Sequence, residues 1–168
     1  MAKEQELYQP VAKWLKGFLN RRYKRARNII VEDTSRSTVA AFLSKHDLLK
    51  WQPEGKTFDI KVDVTGAVSL LTSRQPCIQL AIAEVKIGTI NLRSFSQVLG
   101  YAKVIRPAYA FIISPQGWTS SLQQLIRDFN RRDVLEYVKG RHIIVAKWDL
   151  SSASIRPGDV LTPGQGVV

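Results

Sequence analysis

Residues 77–87, which read CIQLAIAEVKI, restrict the fold more than any other part of this sequence. The run is apolar for most of its length, as is typical of a strand buried within a sheet. Side chains alternate along a strand, so Ile82, Glu84 and Lys86 share one face, which is apolar at first and charged at its end. Because an unpaired charge is costly in a protein interior, we expect this strand to leave the core at Glu84 and enter a cleft.

Other segments of helical and strand character surround this strand. Apolar residues at helical spacing predict a first helix over 7–18, in which Pro10 indicates either a start near Gln9 or a kink. A helical insertion is expected over 34–50, with Thr34 or Ser35 as its cap, and a helix over 94–104 whose capping box joins Ser94 to Gln97. Strands are expected at 28–31, 57–66, 108–114 and 141–149, and one or two helices within 118–138.

This order of elements predicts an α/β fold. Helices that alternate with strands in the second half favour a central mixed sheet covered by helices, a three-layer α/β/α sandwich. A chain of 168 residues is long enough for one core, so we expect a single domain over 1–149 and an irregular tail over 150–168.

Composition narrows the class of partner. With 25 Lys and Arg against 14 Asp and Glu, the chain carries a net charge of +11, which favours a nucleic acid partner. Cys77 is the only cysteine, which excludes an internal disulfide and fits a reducing cytoplasm. No apolar run approaches the length of a membrane helix, so no membrane partner is expected.

Carboxylates on two successive strands indicate a metal site. Asp59 and Asp63 lie on one face of the expected strand over 57–66, and sequential strands are usually neighbours. A carboxylate from this strand, the Glu84 carboxylate and the Val85 carbonyl would form the oxygen-rich site that Mg²⁺ or Mn²⁺ prefers. Lys86 would then orient or deprotonate an attacking water, or stabilise the transition state.

Together these residues resemble the PD-(D/E)xK nuclease superfamily over roughly residues 4–148. The family's Glu-x-Lys falls on Glu84 and Lys86 and its aspartate on Asp59, although Phe58 replaces the usual proline and leaves Asp63 as a rival. The resemblance implies a restriction-endonuclease-like fold and a metal-dependent DNA nuclease with Mg²⁺ or Mn²⁺ as cofactor.

Two helices carry further residues of this resemblance. Many members have a glutamate on the first helix, where Glu4 matches better than Glu6 because it shares the inward face with Leu7 and Val11. Gln97 and Tyr101 match the Q-x-x-x-Y pattern of RecB-like nucleases and share one helix face, and the resemblance implies that Tyr101 contacts DNA. The opening of the chain also resembles archaeal Holliday junction resolvases, which implies a homodimer.

A basic run that follows the first helix suits contact with phosphates. Its cations are Arg21, Arg22, Lys24, Arg25 and Arg27. We expect a Mg²⁺-dependent DNA nuclease in which Asp59, Glu84 and Val85 hold the metal and Lys86, Glu4 and Gln97 assist. The alternative is a non-catalytic nucleic-acid-binding module that retains the same fold.

Overall fold

A mixed five-stranded sheet lies at the centre of the computed structural model, which describes residues 3–162. Its strands are β1 Asn28–Asp33, β2 Val64–Thr72, β3 Gln75–Val85, β4 Tyr109–Ser114 and β7 Ile144–Lys147, and they lie side by side in this order. Neighbouring strands are antiparallel from β1 to β3 and parallel from β3 to β7. A separate ladder joins β5 Glu136–Val138 to β6 Arg141–His142.

Helices pack against the sheet from two sides. Helix α1, Glu4–Arg22, packs against β1, β2 and β3 and forms one apolar cluster with Val64, Val85 and Phe111. Helices α2, Val39–Lys45, and α3, Leu92–Ile105, join the other cluster with Ile82 and Ile112. Helix α4, Ser120–Gln123, continues directly into a π-helical turn at Gln124–Asp128, and 3₁₀ turns occupy Pro53–Thr57 and Arg132–Leu135. The α/β class and the mixed sheet predicted from the sequence are therefore confirmed.

The strand expected over 57–66 differs from the structure at its start. Strand β2 begins only at Val64, because the carbonyls of Phe58 and Ile60 accept hydrogen bonds from Ala40 and Val39 in the first turn of α2. The alternating pattern of this segment still predicts which side chains are buried, since Phe58 and Val62 are buried and Asp59 is exposed. Pattern alone identified the extended backbone but not its pairing partner.

Helix starts also differ from the sequence prediction. Helix α1 begins at Glu4 and includes Pro10, which contradicts a start near Gln9. Helix α3 is capped by Asn91, whose side chain accepts from the Ser94 N–H, so the expected box from Ser94 to Gln97 is wrong. Thr38, rather than Thr34 or Ser35, caps α2.

The segment after β7 packs on the core as far as residue 162. It contains no long strand or helix among its described residues, but Ile155, Val160 and Leu161 are buried. Val160 forms a single antiparallel bridge with Ala146 of β7. The remainder of the expected tail, residues 163–168, lies outside the described residues.

Candidate functional site

Two carboxylates meet where β3 ends and β2 begins. The antiparallel register pairs Val64 with Ala83, and one further step along it sets Asp63 beside Glu84. The Val85 N–H donates to Asp63 Oδ2 at 2.8 Å, which fixes the aspartate against the end of β3. The expectation that a carboxylate from each of two neighbouring strands converges is met by Asp63 and Glu84.

Glu84 and Lys86 form an ion pair on one face of β3. Lys86 Nζ lies 2.9 Å from Glu84 Oε1, and the Glu84 residue is only 7% exposed. The Lys86 N–H donates to the Ile113 carbonyl at 2.8 Å, so its backbone continues the ladder between β3 and β4. Glu84 Oε2 is buried and has no hydrogen-bond partner within the described part of the chain.

Helix α1 brings a third carboxylate to this end of the sheet. Glu4 is half-buried and accepts a hydrogen bond from the Tyr8 hydroxyl at 3.1 Å, whereas Glu6 is exposed and caps the helix through the Lys3 N–H. Tyr8 was not singled out from the sequence, although its spacing of four residues from Glu4 puts both on one helix face. The geometry thus favours Glu4 over Glu6.

The pKa values at this site reflect burial first and the charges of neighbouring groups second. Burial, and then the charge of Glu84, raise the pKa of Asp63 to about 7. Burial also raises the pKa of Glu84, even though Lys86 opposes the shift. Burial lowers the pKa of Lys86, but the hydrogen bond to Glu84 and the nearby carboxylate charges outweigh it, so this pKa lies above its ordinary value. Burial and the charges of Asp63 and Glu4 raise the pKa of Tyr8.

Thr34 holds the backbone that carries Asp63. The Thr34 N–H donates to the Asp63 carbonyl at 2.9 Å, and the Thr34 hydroxyl donates to the Val62 carbonyl at 2.7 Å. The same hydroxyl lies 2.8 Å from the hydroxyl of Thr65, and both threonines are buried. Asp63 is thereby positioned by the residue that follows β1 as well as by the end of β3.

Asp59, the first choice from the sequence, lies outside this group. It is exposed and stands in the irregular segment before β2, where its neighbours Phe58 and Ile60 bond to α2. The carboxylate that reaches Glu84 is that of Asp63, the alternative left open by the sequence. The structure thus brings Asp63, and not Asp59, to the end of β3, and Asp63 becomes the better candidate for the predicted metal site.

Gln97 and Tyr101 contact each other on α3. Gln97 Nε2 donates to the Tyr101 hydroxyl at 2.6 Å, and Tyr101 packs against the core cluster on that side of the sheet. Within residues 3–162, no hydrogen bond joins either side chain to Asp63, Glu84 or Lys86. Their expected roles in catalysis and in DNA contact remain predictions.

The basic run lies at the far end of α1 from the carboxylates, and we call residues 21–27 the basic segment. Arg21 and Arg22 form the last turn of α1, and Lys24, Arg25 and Arg27 lead into β1; all five cations are exposed. At ~1.5 Å per helical residue, Arg21 lies about 26 Å from Glu4. The expected phosphate contacts and the carboxylates thus lie near opposite ends of α1.

The carboxylates suit a hard divalent cation of the Mg²⁺ class. In the described part of the chain, no group of three or more His, Cys, Asp or Glu side chains is arranged to hold a metal. Mg²⁺, however, is commonly held by one or two carboxylates together with water and substrate phosphates. The unpartnered Glu84 Oε2 beside Asp63, both with raised pKa values, is an acceptor that such a cation would satisfy. The residues present therefore fit a Mg²⁺ ion held by Asp63 and Glu84.

Comparisons with family models, with curated proteins and with solved structures found no match to this chain. Among residues 3–162, no helix is long and apolar enough to cross a membrane.

Proposed function

We propose that this protein is a metal-dependent DNA nuclease with a restriction-endonuclease-like fold. The observation that carries the proposal is the buried, unpartnered Glu84 Oε2, which lies at the end of a core strand beside Asp63 and the Lys86 ammonium. A buried carboxylate oxygen without a partner costs free energy, and a bound cation would offset that cost. The net charge of +11 supports a polyanionic substrate.

Each residue of the group has a distinct part in the proposed reaction. Asp63 and Glu84 would hold Mg²⁺ or Mn²⁺, with the Val85 carbonyl as a further oxygen ligand. When bound, such an ion polarises the scissile phosphate and lowers the pKa of a coordinated water. Lys86 is a cation held at Glu84, from where it donates to the attacking water or to the developing charge on phosphate. Glu4 and Tyr8 complete the polar wall on the side of α1.

Cleavage of a labelled substrate panel tests the proposal. The panel holds single-stranded DNA, duplex, flap, four-way junction and RNA, each with Mg²⁺, Mn²⁺ or EDTA. Wild type should cut at least one DNA substrate only with metal. Glu84→Gln, Lys86→Ala and Asp63→Asn should each lower the rate by at least about a hundredfold, as expected when a group that stabilises developing charge is removed.

Asp59→Asn is the matched control for Asp63→Asn. Both changes remove one carboxylate from the same short segment, but only Asp63 contacts the end of β3. The Asp59 variant should cut at the wild-type rate. Equal loss in both variants, or full activity after Lys86→Ala, would refute the assignment of residues.

A non-catalytic nucleic-acid-binding module is the second candidate. The observation in its favour is the separation of the basic segment from the carboxylates by the length of α1. This function predicts DNA binding that weakens log-linearly with salt and no metal-dependent cleavage of any substrate in the panel. Binding without cleavage by wild type and by Glu84→Gln alike would decide for it.

A further inference from the structure

A groove lies on the α3 side of the sheet, at the end opposite to the carboxylates. It has a volume of about 610 Å³, and its walls are the start of β3, the end of α3 and the segment that contains Trp51. Leu80, which lines it, precedes Glu84 by four residues, or about 13 Å along a strand. The groove is therefore separate from the carboxylate site.

An exposed aromatic ring forms part of this groove. Trp51 is 42% exposed, and the Lys50 ammonium lies 5.3 Å from its ring centroid, a cation–π contact on one face of the indole. Gln52 and Gln79 line the same groove and supply amide donors and acceptors. An exposed indole beside amides suits a planar ligand with polar edges, such as a nucleobase.

The charge of the groove favours an anion. Among the described residues that line it, Lys103, Arg106 and Arg141 are cationic and Glu54 is the acidic one. Arg141 is held in place, because its Nη1 donates to the Arg106 and Pro107 carbonyls at 3.1 and 3.2 Å. A fixed guanidinium presents its remaining N–H groups to a phosphate with little loss of side-chain freedom.

The groove and the basic segment occupy the same end of the sheet. Arg27 N–H donates to the Ser69 carbonyl in β2, and Leu70, the next residue, pairs with Cys77 of the groove. Cations thus lie at this end of the sheet on both of its faces, in the groove and in the basic segment. Two separate cationic groups favour a polymer with several phosphates over a free nucleotide.

We propose that this groove binds single-stranded DNA, with a base stacked on Trp51 and phosphates at Lys103, Arg106 and Arg141. Single strands expose the faces of their bases, whereas a duplex covers them, so an aromatic platform selects the single strand. If the protein is the proposed nuclease, its substrate is then DNA that contains a single-stranded region, such as a flap or an open junction; this step rests on the proposed function.

Binding of an oligothymidylate of about 12 nucleotides, measured in EDTA so that no cleavage occurs, tests the proposal. Anisotropy of a label on the oligonucleotide gives the affinity, and tryptophan fluorescence reports on stacking. Trp51→Ala should weaken binding about tenfold, since stacking on one aromatic ring contributes ~1–3 kcal/mol. Trp51→Phe should keep most of the affinity while losing most of the fluorescence quench.

Two control variants, Phe129→Ala for Trp51→Ala and Lys13→Glu for Lys103→Glu, test whether any loss of binding is specific to the groove. Phe129→Ala removes another exposed aromatic ring, 72% exposed and outside the groove, and should bind as wild type does. Lys103→Glu should weaken binding and lower the salt dependence, whereas Lys13→Glu, an exposed change on α1, should do so to a smaller extent.

The outcomes distinguish this inference from the proposed nuclease. Wild-type affinity in Trp51→Ala, equal quenching by blunt duplex, or tighter binding of oligouridylate RNA would overturn the groove assignment. If duplex DNA is nevertheless cleaved in a metal-dependent manner, the proposed nuclease function would still be supported. A normal Trp51 effect without cleavage of any substrate would sustain the groove and reject the nuclease.

Discussion

At the scale of single residues, Asp63 links the stability of the fold to the chemistry of the site. Its carboxylate is bonded to the Val85 N–H, and its pKa is raised to about 7 by burial and by Glu84. The folded protein therefore holds this proton more tightly than the unfolded chain, in which an aspartate has a pKa of about 3.9. Without metal, the ionised aspartate destabilises the folded state.

Asp63→Asn should remove this pH dependence. In the wild type without metal, the contribution of Asp63 to the free energy of unfolding is most favourable below about pH 4 and decreases until about pH 7, because the folded state binds more protons across that range. The asparagine can still accept from Val85 but carries no charge. Urea unfolding in EDTA from pH 4 to 8 should show the variant gaining stability relative to wild type as pH rises.

Asp59→Asn provides the control for this measurement. Its exposed side chain lies in the same segment without contact to the end of β3, so its stability should follow the wild-type pH profile. A difference between Asp63→Asn and wild type that stays constant with pH would contradict the assigned pKa.

The choice between Asp59 and Asp63 shows where sequence reasoning ends. Both aspartates lie on one face of a period-two pattern, and that pattern is present from Phe58 to Val64. The pairing partner differs along it, because Phe58 and Ile60 bond to α2 while β2 pairs with β3 from Val64. Hydrophobic periodicity does not change when the pairing partner changes, so it could not distinguish the two aspartates. Glu84 and Lys86 could be predicted, because they are the charged end of an otherwise apolar strand.

At the scale of elements, α1 spans the molecule from the carboxylates to the basic segment despite an internal proline. Pro10 lies within Glu4–Arg22 and has no N–H to donate to the Glu6 carbonyl. Helical periodicity predicted the apolar face, and Leu7, Val11 and Leu15 are indeed buried. The start of the helix was not predictable from that period, because the first turn is capped by Glu6, whose carboxylate accepts from the Lys3 N–H at 3.2 Å.

Pro10→Ala should stabilise the protein. The alanine restores one helical hydrogen bond and relieves the proline ring, which together are worth about 1–3 kcal/mol in a helix interior. Urea unfolding should show a higher midpoint with an unchanged slope. Pro53→Ala is the control, because Pro53 begins a 3₁₀ turn, where proline is well suited and its loss should not stabilise. A less stable Pro10 variant would mean that packing of the ring outweighs the missing hydrogen bond.

At the scale of the whole molecule, charge is separated along α1. Carboxylates of Glu4, Asp63 and Glu84 gather at one end of the sheet, and the basic segment and the groove cations gather at the other. DNA drawn to the basic end would reach the carboxylates only if it extends along the molecule for about 26 Å, which is about eight base pairs at ~3.4 Å each. Net charge predicted a nucleic acid partner, but composition contains no information on where the charges gather.

The proposed DNA binding should depend on the basic segment rather than on the total charge of the protein. A double variant, Arg25→Glu with Arg27→Glu, should weaken duplex binding and lower the slope of log K against log salt by about 2, since each phosphate contact contributes ~0.9. Lys13→Glu with Arg93→Glu changes the net charge equally at exposed positions outside both the basic segment and the groove, and its slope should stay nearer to that of wild type. Binding measured from low to physiological salt distinguishes these cases. Equal losses in the two double variants would show that overall charge, and not the basic segment, attracts the DNA.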